Sequence, residues 1–151
     1  ILPTCAISTD VIAGFCGETE EEHAETLSMQ NYVQYEMAYM FMYSERPGTL
    51  AARRYADDVP TEIKNRRLQE IIAQQNAHSL LRSQQDIGKV LRVLVEKNSK
   101  RSDQDLCGRT DQNKMVIFAR ANYQPGDYID VLIESCTSAS MKGTVLGYSQ
   151  F

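Results

Sequence analysis

The chain has 151 residues, 42% of them hydrophobic and 24% charged, with a formal net charge of −4. That balance excludes a disordered or collagen-like polymer and leaves room for one ordinary domain or two small ones. No apolar stretch approaches the roughly 20 residues of a membrane-spanning helix, so a cytoplasmic protein without membrane partners is expected.

No charged-then-apolar leader precedes Ile1, and the chain starts without Met on what reads as the approach to a strand. It is expected to be part of something longer. Residues 9–15 form a short apolar run with β-branched members that stops at Gly17. Thr19 and Glu22 then have the spacing of a capping box, which predicts a helix to about Gln34. Residues 36–43 are a second short, nearly all-apolar run. Strand, helix and strand, with both strands apolar on each face, is the pattern of a parallel βαβ unit. Met37, Tyr39 and Phe41 alternate with Ala38, Met40 and Met42, so one set lines an interior and the other packs under helices.

Pro47-Gly48 marks a turn, and Asp57-Asp58-Val59-Pro60 marks a helix start. That helix is predicted over 61–85, with an apolar stripe of Ile63, Leu68, Ile71, Ile72, Leu80 and Leu81. From Gly88 the pattern changes to short strands, at 90–95, 115–118, 128–134 and 143–146, separated by turn signals. Several strands at this spacing predict a small antiparallel β-barrel of oligonucleotide-binding type.

Charge divides along the same line. Residues 1–86 hold 7 Lys and Arg against 13 Asp and Glu, and residues 87–151 hold 9 against 7. The acidic run at Glu18–Glu25 fits a solvated helix start, favoured by the helix dipole. Cys5, Cys16, Cys107 and Cys136 lack the close spacing of a zinc or iron–sulfur site and read as idle reduced thiols. His23 and His78 have no partner motif and are expected at the surface.

Four ordered motifs carry a specific resemblance. Ser8-Thr9-Asp10-Val11-Ile12-Ala13-Gly14-Phe15-Cys16-Gly17-Glu18-Thr19-Glu20-Glu21, Tyr43-Ser44-Glu45-Arg46-Pro47-Gly48-Thr49, Asp57-Asp58-Val59-Pro60-Thr61-Glu62-Ile63-Lys64 and Gly108-Arg109-Thr110-Asp111-Gln112-Asn113-Lys114 resemble, in this order, segments of the radical SAM methylthiotransferases. Met141-Lys142-Gly143 is similar to the closing hairpin of that family's TRAM domain. Cys16 stands where the family usually has Pro, a turn variation beside Gly17.

The resemblance implies an α/β fragment, the last βαβ strands and helices of a partial radical SAM TIM-type barrel, over residues 1–60. It implies a bridging helix over 61–86 and a TRAM RNA-binding β-barrel, OB-like, over 87–151. The parent enzyme is implied to methylthiolate N6-isopentenyladenosine beside the anticodon of tRNA, using S-adenosylmethionine and two 4Fe–4S clusters. A sibling acting on threonylcarbamoyladenosine in tRNA or on a ribosomal protein, and a non-catalytic RNA-binding module, are the alternatives. The CxxxCxxC loop that would hold a radical cluster is absent, so this chain alone is expected to be inactive, with no cofactor bound and no catalytic or metal residue of its own.

Ile12, Ala13 and Gly14 resemble the family segment that lies against the adenine of S-adenosylmethionine. The implied partners are the tRNA anticodon stem-loop and the remainder of the parent enzyme. For RNA the candidates are Arg46, Lys89, Arg101, Arg109, Asn113, Lys114 and Lys142, with Lys97 and Lys100 as further phosphate contacts. Arg109, Asn113 and Lys114 read as one turn-rich loop. Phe118, Tyr123 and Tyr128 are stacking candidates, although aromatics in short strands are commonly core. A two-strand sheet leaves open edges and apolar faces, so self-association of the isolated chain is expected.

Overall fold

The computed structural model describes residues 5–99 and 102–150. They form two compact units, one of Ile7–His78 and a second that begins at Ser79.

In the first unit, β1 (Ser8–Ala13) and β2 (Met37–Met42) pair in parallel, from Ser8↔Met37 to Ala13↔Met42. The helix between them, α1 (Glu20–Val33), opens on the capping box that the sequence predicts. Glu22 N donates to Thr19 Oγ1 at 3.2 Å, and Thr19 N donates to Glu22 Oε2 at 2.8 Å. Two orphan amides at the helix start are thereby satisfied. The sheet has unequal faces: Ala13 and Ala38 are buried, whereas Ile12, Tyr39 and Phe41 are each more than half exposed.

A five-residue helix that sequence periodicity misses, α2 (Leu50–Arg54), is capped by Thr49, whose hydroxyl accepts from Ala52 N. Helix α3 (Thr61–Gln84) follows, and the division between the units falls within it. Its side facing α1 is polar rather than apolar. Gln30 donates to Gln75 at 3.1 Å and to the Ile71 carbonyl at 3.2 Å, and Gln74 donates to the Leu27 carbonyl. His23 reaches Glu70 at 2.6 Å and His78 reaches Asn31 at 3.3 Å. Both histidines are buried, contrary to the surface placement expected of them. Each finds one partner on the other helix, which offsets part of its desolvation cost, while Nδ1 of both is buried without a hydrogen bond.

The second unit holds β3 (Val90–Asn98), β4 (Asp105–Thr110), β5 (Met115–Ala119), β6 (Tyr128–Cys136) and β7 (Met141–Tyr148). They close into a barrel in the order β3-β4-β5-β7-β6. Two expectations are corrected. The barrel is not wholly antiparallel, because β5 and β7 pair in parallel through Val116↔Met141 and Ile117↔Lys142. There are also five strands rather than four, since Asp105–Thr110 is a strand where the sequence suggests a loop. Val93, Val95, Leu106, Val116, Phe118, Ile129, Val131, Ile133 and Met141 point inward as one core. Gly108 and Gly143 are the small inward positions. A Cβ on either would collide with the backbone carbonyl of Leu94 or Leu132, so the strands approach there as only glycine permits.

Candidate nucleic-acid interface

The β4–β5 hairpin gathers three of the predicted RNA residues, but mostly for its own sake. Thr110 N donates to the Lys114 carbonyl and Asn113 N to the Thr110 carbonyl, closing a tight turn. Asn113 takes φ +62, a left-handed conformation that Asn tolerates better than most residues. Arg109 lies in β4 rather than in the loop. Its guanidinium donates to the Asn113 carbonyl at 2.9 Å and to Asn113 Oδ1 at 3.0 Å, and pairs with Glu96 at 3.3 Å. The planar fork that suits a phosphate is here spent on the turn.

Lys114 is also engaged. Its ammonium donates to Asp86 at 2.7 Å and to the Arg82 carbonyl at 3.3 Å, with the side chain nearly buried. Lys89 pairs with the other Asp86 oxygen at 3.0 Å but keeps most of its side chain in solvent. Burial pushes the Asp86 carboxyl up, but the hydrogen bonds from Lys114 and Lys89 outweigh it and hold it below its ordinary value. Lys142 is exposed on β7, beside Ile117 of β5. Arg46 is exposed in the loop after β2, where its carbonyl caps the turn by accepting from Thr49. Arg101 and Lys100 lie outside the described residues.

The three aromatic candidates separate. Phe118 is core. Tyr123 packs against the core from outside, and its ring meets Tyr148 edge-on at 5.1 Å. Tyr128 faces outward beneath the Arg92 guanidinium, 5.6 Å from its ring centre. Arg92 and Tyr148 were not singled out by the sequence. The signal for Arg92 was the alternation of its strand, which turns it away from Val93; at Tyr148 a register shift breaks the alternation of β7 and sets the residue opposite the buried Ile129.

In the first unit, the residues set against S-adenosylmethionine part company. Only Ile12 presents its side chain on the open sheet face, so it alone of the three fits a flat apolar ligand surface. Ala13 is buried. Gly14 has φ +72, its N–H donates to Glu18 at 2.8 Å, and a Cβ there would strike the stem of Lys64. The close approach that requires glycine is therefore made by Lys64, whose ammonium pairs with Asp57 and lies 5.2 Å from the Tyr43 ring centre. Cys16 hydrogen-bonds Tyr43, and this bond, with burial and the nearby acids, pushes the Tyr43 phenol up to about 12.

Among the described residues no group of three or more His, Cys, Asp or Glu could hold a metal ion. The four cysteines are free thiols, and they do not fit an iron–sulfur cluster. No helix among the described residues is long and apolar enough to cross a membrane.

Comparison with known proteins bears on both units. Residues 84–146 match the TRAM domain, a span that takes in the whole barrel except the end of β7. The chain is 55% identical over 141 residues to a tRNA-2-methylthio-N(6)-dimethylallyladenosine synthase of Amoebophilus asiaticus, covering 93% of this chain and 29% of that protein. It is 51% identical over 150 residues to the synthase of Flavobacterium psychrophilum, covering 99% and 31%. It is 54% identical over 142 residues to that of Prosthecochloris aestuarii, covering 94% and 32%. The chain thus spans about three-tenths of the length of these relatives.

Proposed function

We propose that this chain, which matches the TRAM domain over residues 84–146 and is about half identical to those synthases, belongs to their family and is the C-terminal part of an enzyme that methylthiolates N6-isopentenyladenosine beside the anticodon of tRNA. The observation that carries the reading is the alignment of nearly the whole chain, at about half identity, with proteins of that one name.

In this reading residues 1–60 belong to the S-adenosylmethionine barrel, residues 61–86 bridge, and residues 87–151 bind RNA. The parallel β1–α1–β2 unit supports the first assignment, because two parallel strands with one open apolar face are an incomplete layer. Ile12 would lie against the adenine of S-adenosylmethionine, which supplies the radical and the methyl group when bound. The 4Fe–4S clusters belong to the rest of the parent enzyme, since the cysteines here do not fit them. The isolated chain is inactive in this reading, and its open sheet face favours self-association.

Lys89, Lys142 and Arg46 are the exposed cations through which we assign phosphate contact, with Arg101 as a further candidate. Arg109, Asn113 and Lys114 shape the β4–β5 hairpin itself. Two experiments test the reading. A full-length protein carrying this chain, expressed in cells that lack methylthiolated tRNA, is expected to restore 2-methylthio-N6-isopentenyladenosine in digested tRNA, read by mass spectrometry. Absence of that nucleoside, with the protein soluble and its clusters assembled, overturns the activity. Titration of this chain with an isopentenylated anticodon stem-loop is expected to give micromolar binding, and Lys142→Ala is expected to reduce the salt slope by about one. No binding at low salt overturns the RNA role.

A further inference from the structure

The loop that leaves β1 is held at several points of its backbone. Gly14 N donates to Glu18 Oε2 at 2.8 Å, and Glu18 N closes a turn by donating to the Phe15 carbonyl at 2.9 Å. Gly17 N donates to Asp58 Oδ1 at 2.7 Å. The Glu18 carboxylate is the centre of this arrangement, and Arg67 of α3 fixes it. One terminal nitrogen of the Arg67 guanidinium donates to Glu18 Oε2 at 2.8 Å and to the Glu18 carbonyl at 2.9 Å. The other donates to Glu20 Oε1 at 2.8 Å. Lys64, three residues earlier and on the same face of α3, lays its stem so close to Gly14 that no Cβ fits between them.

Arg67 is a poor choice for stability alone. Its side chain is 3% exposed, and its Nε is buried without a hydrogen-bond partner. A buried ion pair commonly contributes no more than well-packed apolar side chains of the same volume, because desolvation offsets its attraction. What a guanidinium supplies that a methionine does not is direction. Its planar fork addresses a carbonyl and two carboxylates at once, at fixed angles. The loop so addressed begins at Gly14, directly after the end of β1. Two residues back, Ile12 stands opposite Phe41 on the open face of the sheet.

We propose that Arg67 is a positioning residue for S-adenosylmethionine, acting through Glu18 and the Gly14 amide to hold the end of β1, and with it Ile12, where the adenine lies. This rests on the assignment of Ile12 to the adenine and deepens it, because a residue of α3 then shapes the site without touching the ligand. Without Arg67 the Glu18 carboxylate turns toward solvent and the Gly14 amide loses its acceptor. The end of β1 is then free to shift against β2. The loss falls on S-adenosylmethionine and spares RNA, whose contacts are assigned elsewhere.

The test uses the full-length protein carrying this chain, with its clusters assembled, in equilibrium dialysis against radiolabelled S-adenosylmethionine. Arg67→Met fills the volume without the fork. It is expected to raise the dissociation constant about tenfold, with KM for S-adenosylmethionine rising by the same factor and affinity for the anticodon stem-loop unchanged. Glu18→Ala removes the carboxylate between Arg67 and Gly14 and is expected to do the same, which keeps the test decisive if Arg67→Met does not fold. Arg66 pairs with Glu20 and Glu70 but not with Glu18, and its side chain is 42% exposed. Arg66→Met is therefore expected to bind like the wild type. A fall in binding capacity at an unchanged dissociation constant, in Arg67→Met or Glu18→Ala, marks a merely structural role and overturns the proposal. Equal weakening in Arg66→Met also overturns it. Wild-type binding with unaffected variants removes the role of Arg67 and leaves the adenine assignment standing. If the wild-type protein itself binds no S-adenosylmethionine, that assignment falls and the role of Arg67 with it.

Discussion

Replacing Gly108 by Ala tests how tightly the barrel is drawn. A Cβ at this position would sit 2.7 Å from Val93 Cγ1 and inside the van der Waals envelope of the Leu94 carbonyl oxygen. That carbonyl cannot swing aside freely, because β3 and β4 are locked in register with Leu94 opposite Arg109 and Val95 opposite Gly108. Overpacking normally costs about 1–3 kcal/mol, and a backbone obstacle places this case near the upper end, about 3 kcal/mol. Alanine returns about 0.4–1 kcal/mol by restricting the unfolded chain. The net expectation is about 2 kcal/mol of barrel stability, or a fall in its melting temperature of about 8–16 °C for a unit of this size. Gly143→Ala meets the Leu132 carbonyl in the same way and is expected to match it. Lys142→Ala, one residue away and exposed, is expected to stay within about 0.5 kcal/mol of the wild type. Urea unfolding followed by circular dichroism reads all three. If Gly108→Ala is as stable as Lys142→Ala, the close approach of the strands is not what requires glycine.

Three further outcomes follow from contacts described above. Asp86→Asn leaves the nearly buried Lys114 ammonium without its ionic partner and is expected to cost about 3 kcal/mol at neutral pH. Because the Asp86 carboxyl is held below its ordinary value near 3.8 in the folded state, the pair's contribution is complete above that value. It is lost as pH falls through the lower folded value, so the variant should show a flatter acid limb in a pH series of melting curves. Asn113→Gly is expected to keep barrel stability within about 0.5 kcal/mol, whereas Asn113→Val, a β-branched residue forced to positive φ, costs about 1–2 kcal/mol in the same assay. Cys16→Ala is expected to bring the Tyr43 phenol down from about 12 toward 10, as seen in the ultraviolet titration difference between variant and wild type. An unchanged titration would show that the Cys16 bond is not its main cause.

Much of the fold could be read from local chemistry. The Thr19–Glu22 box announces α1 because capping is a short-range bond pattern, and the two apolar runs around it announce a parallel pair. What escaped the sequence depends on who faces whom. β4 reads Asp-Leu-Cys-Gly-Arg-Thr, with a glycine where strands usually lack one, and it became legible only once the barrel showed why Gly108 must be small. Helix α2 is too short to display a period. The polar seam of His23, Gln30, Gln75 and His78 looks like surface until α1 and α3 are brought together, when each side chain finds a partner across the seam for one of its polar atoms. The contacts of the candidate RNA residues were hidden for a similar reason. Arg109 and Lys114 carry the right charge, but their nearest acceptors are in their own hairpin and at Asp86.

The parallel junction of β5 and β7 is the shortest ladder of the ring. β3 with β4, β4 with β5, and β6 with β7 are neighbours along the chain, so their ladders close over short loops at small entropic cost. The β3–β6 and β5–β7 ladders join strands that are not neighbours along the chain, so they close over longer loops. Of the two, β5–β7 is the shorter, with two residue pairs in register against five for β3–β6. At that short seam Val116 meets Met141. Both side chains are completely buried there, so the join also seals water out of the core.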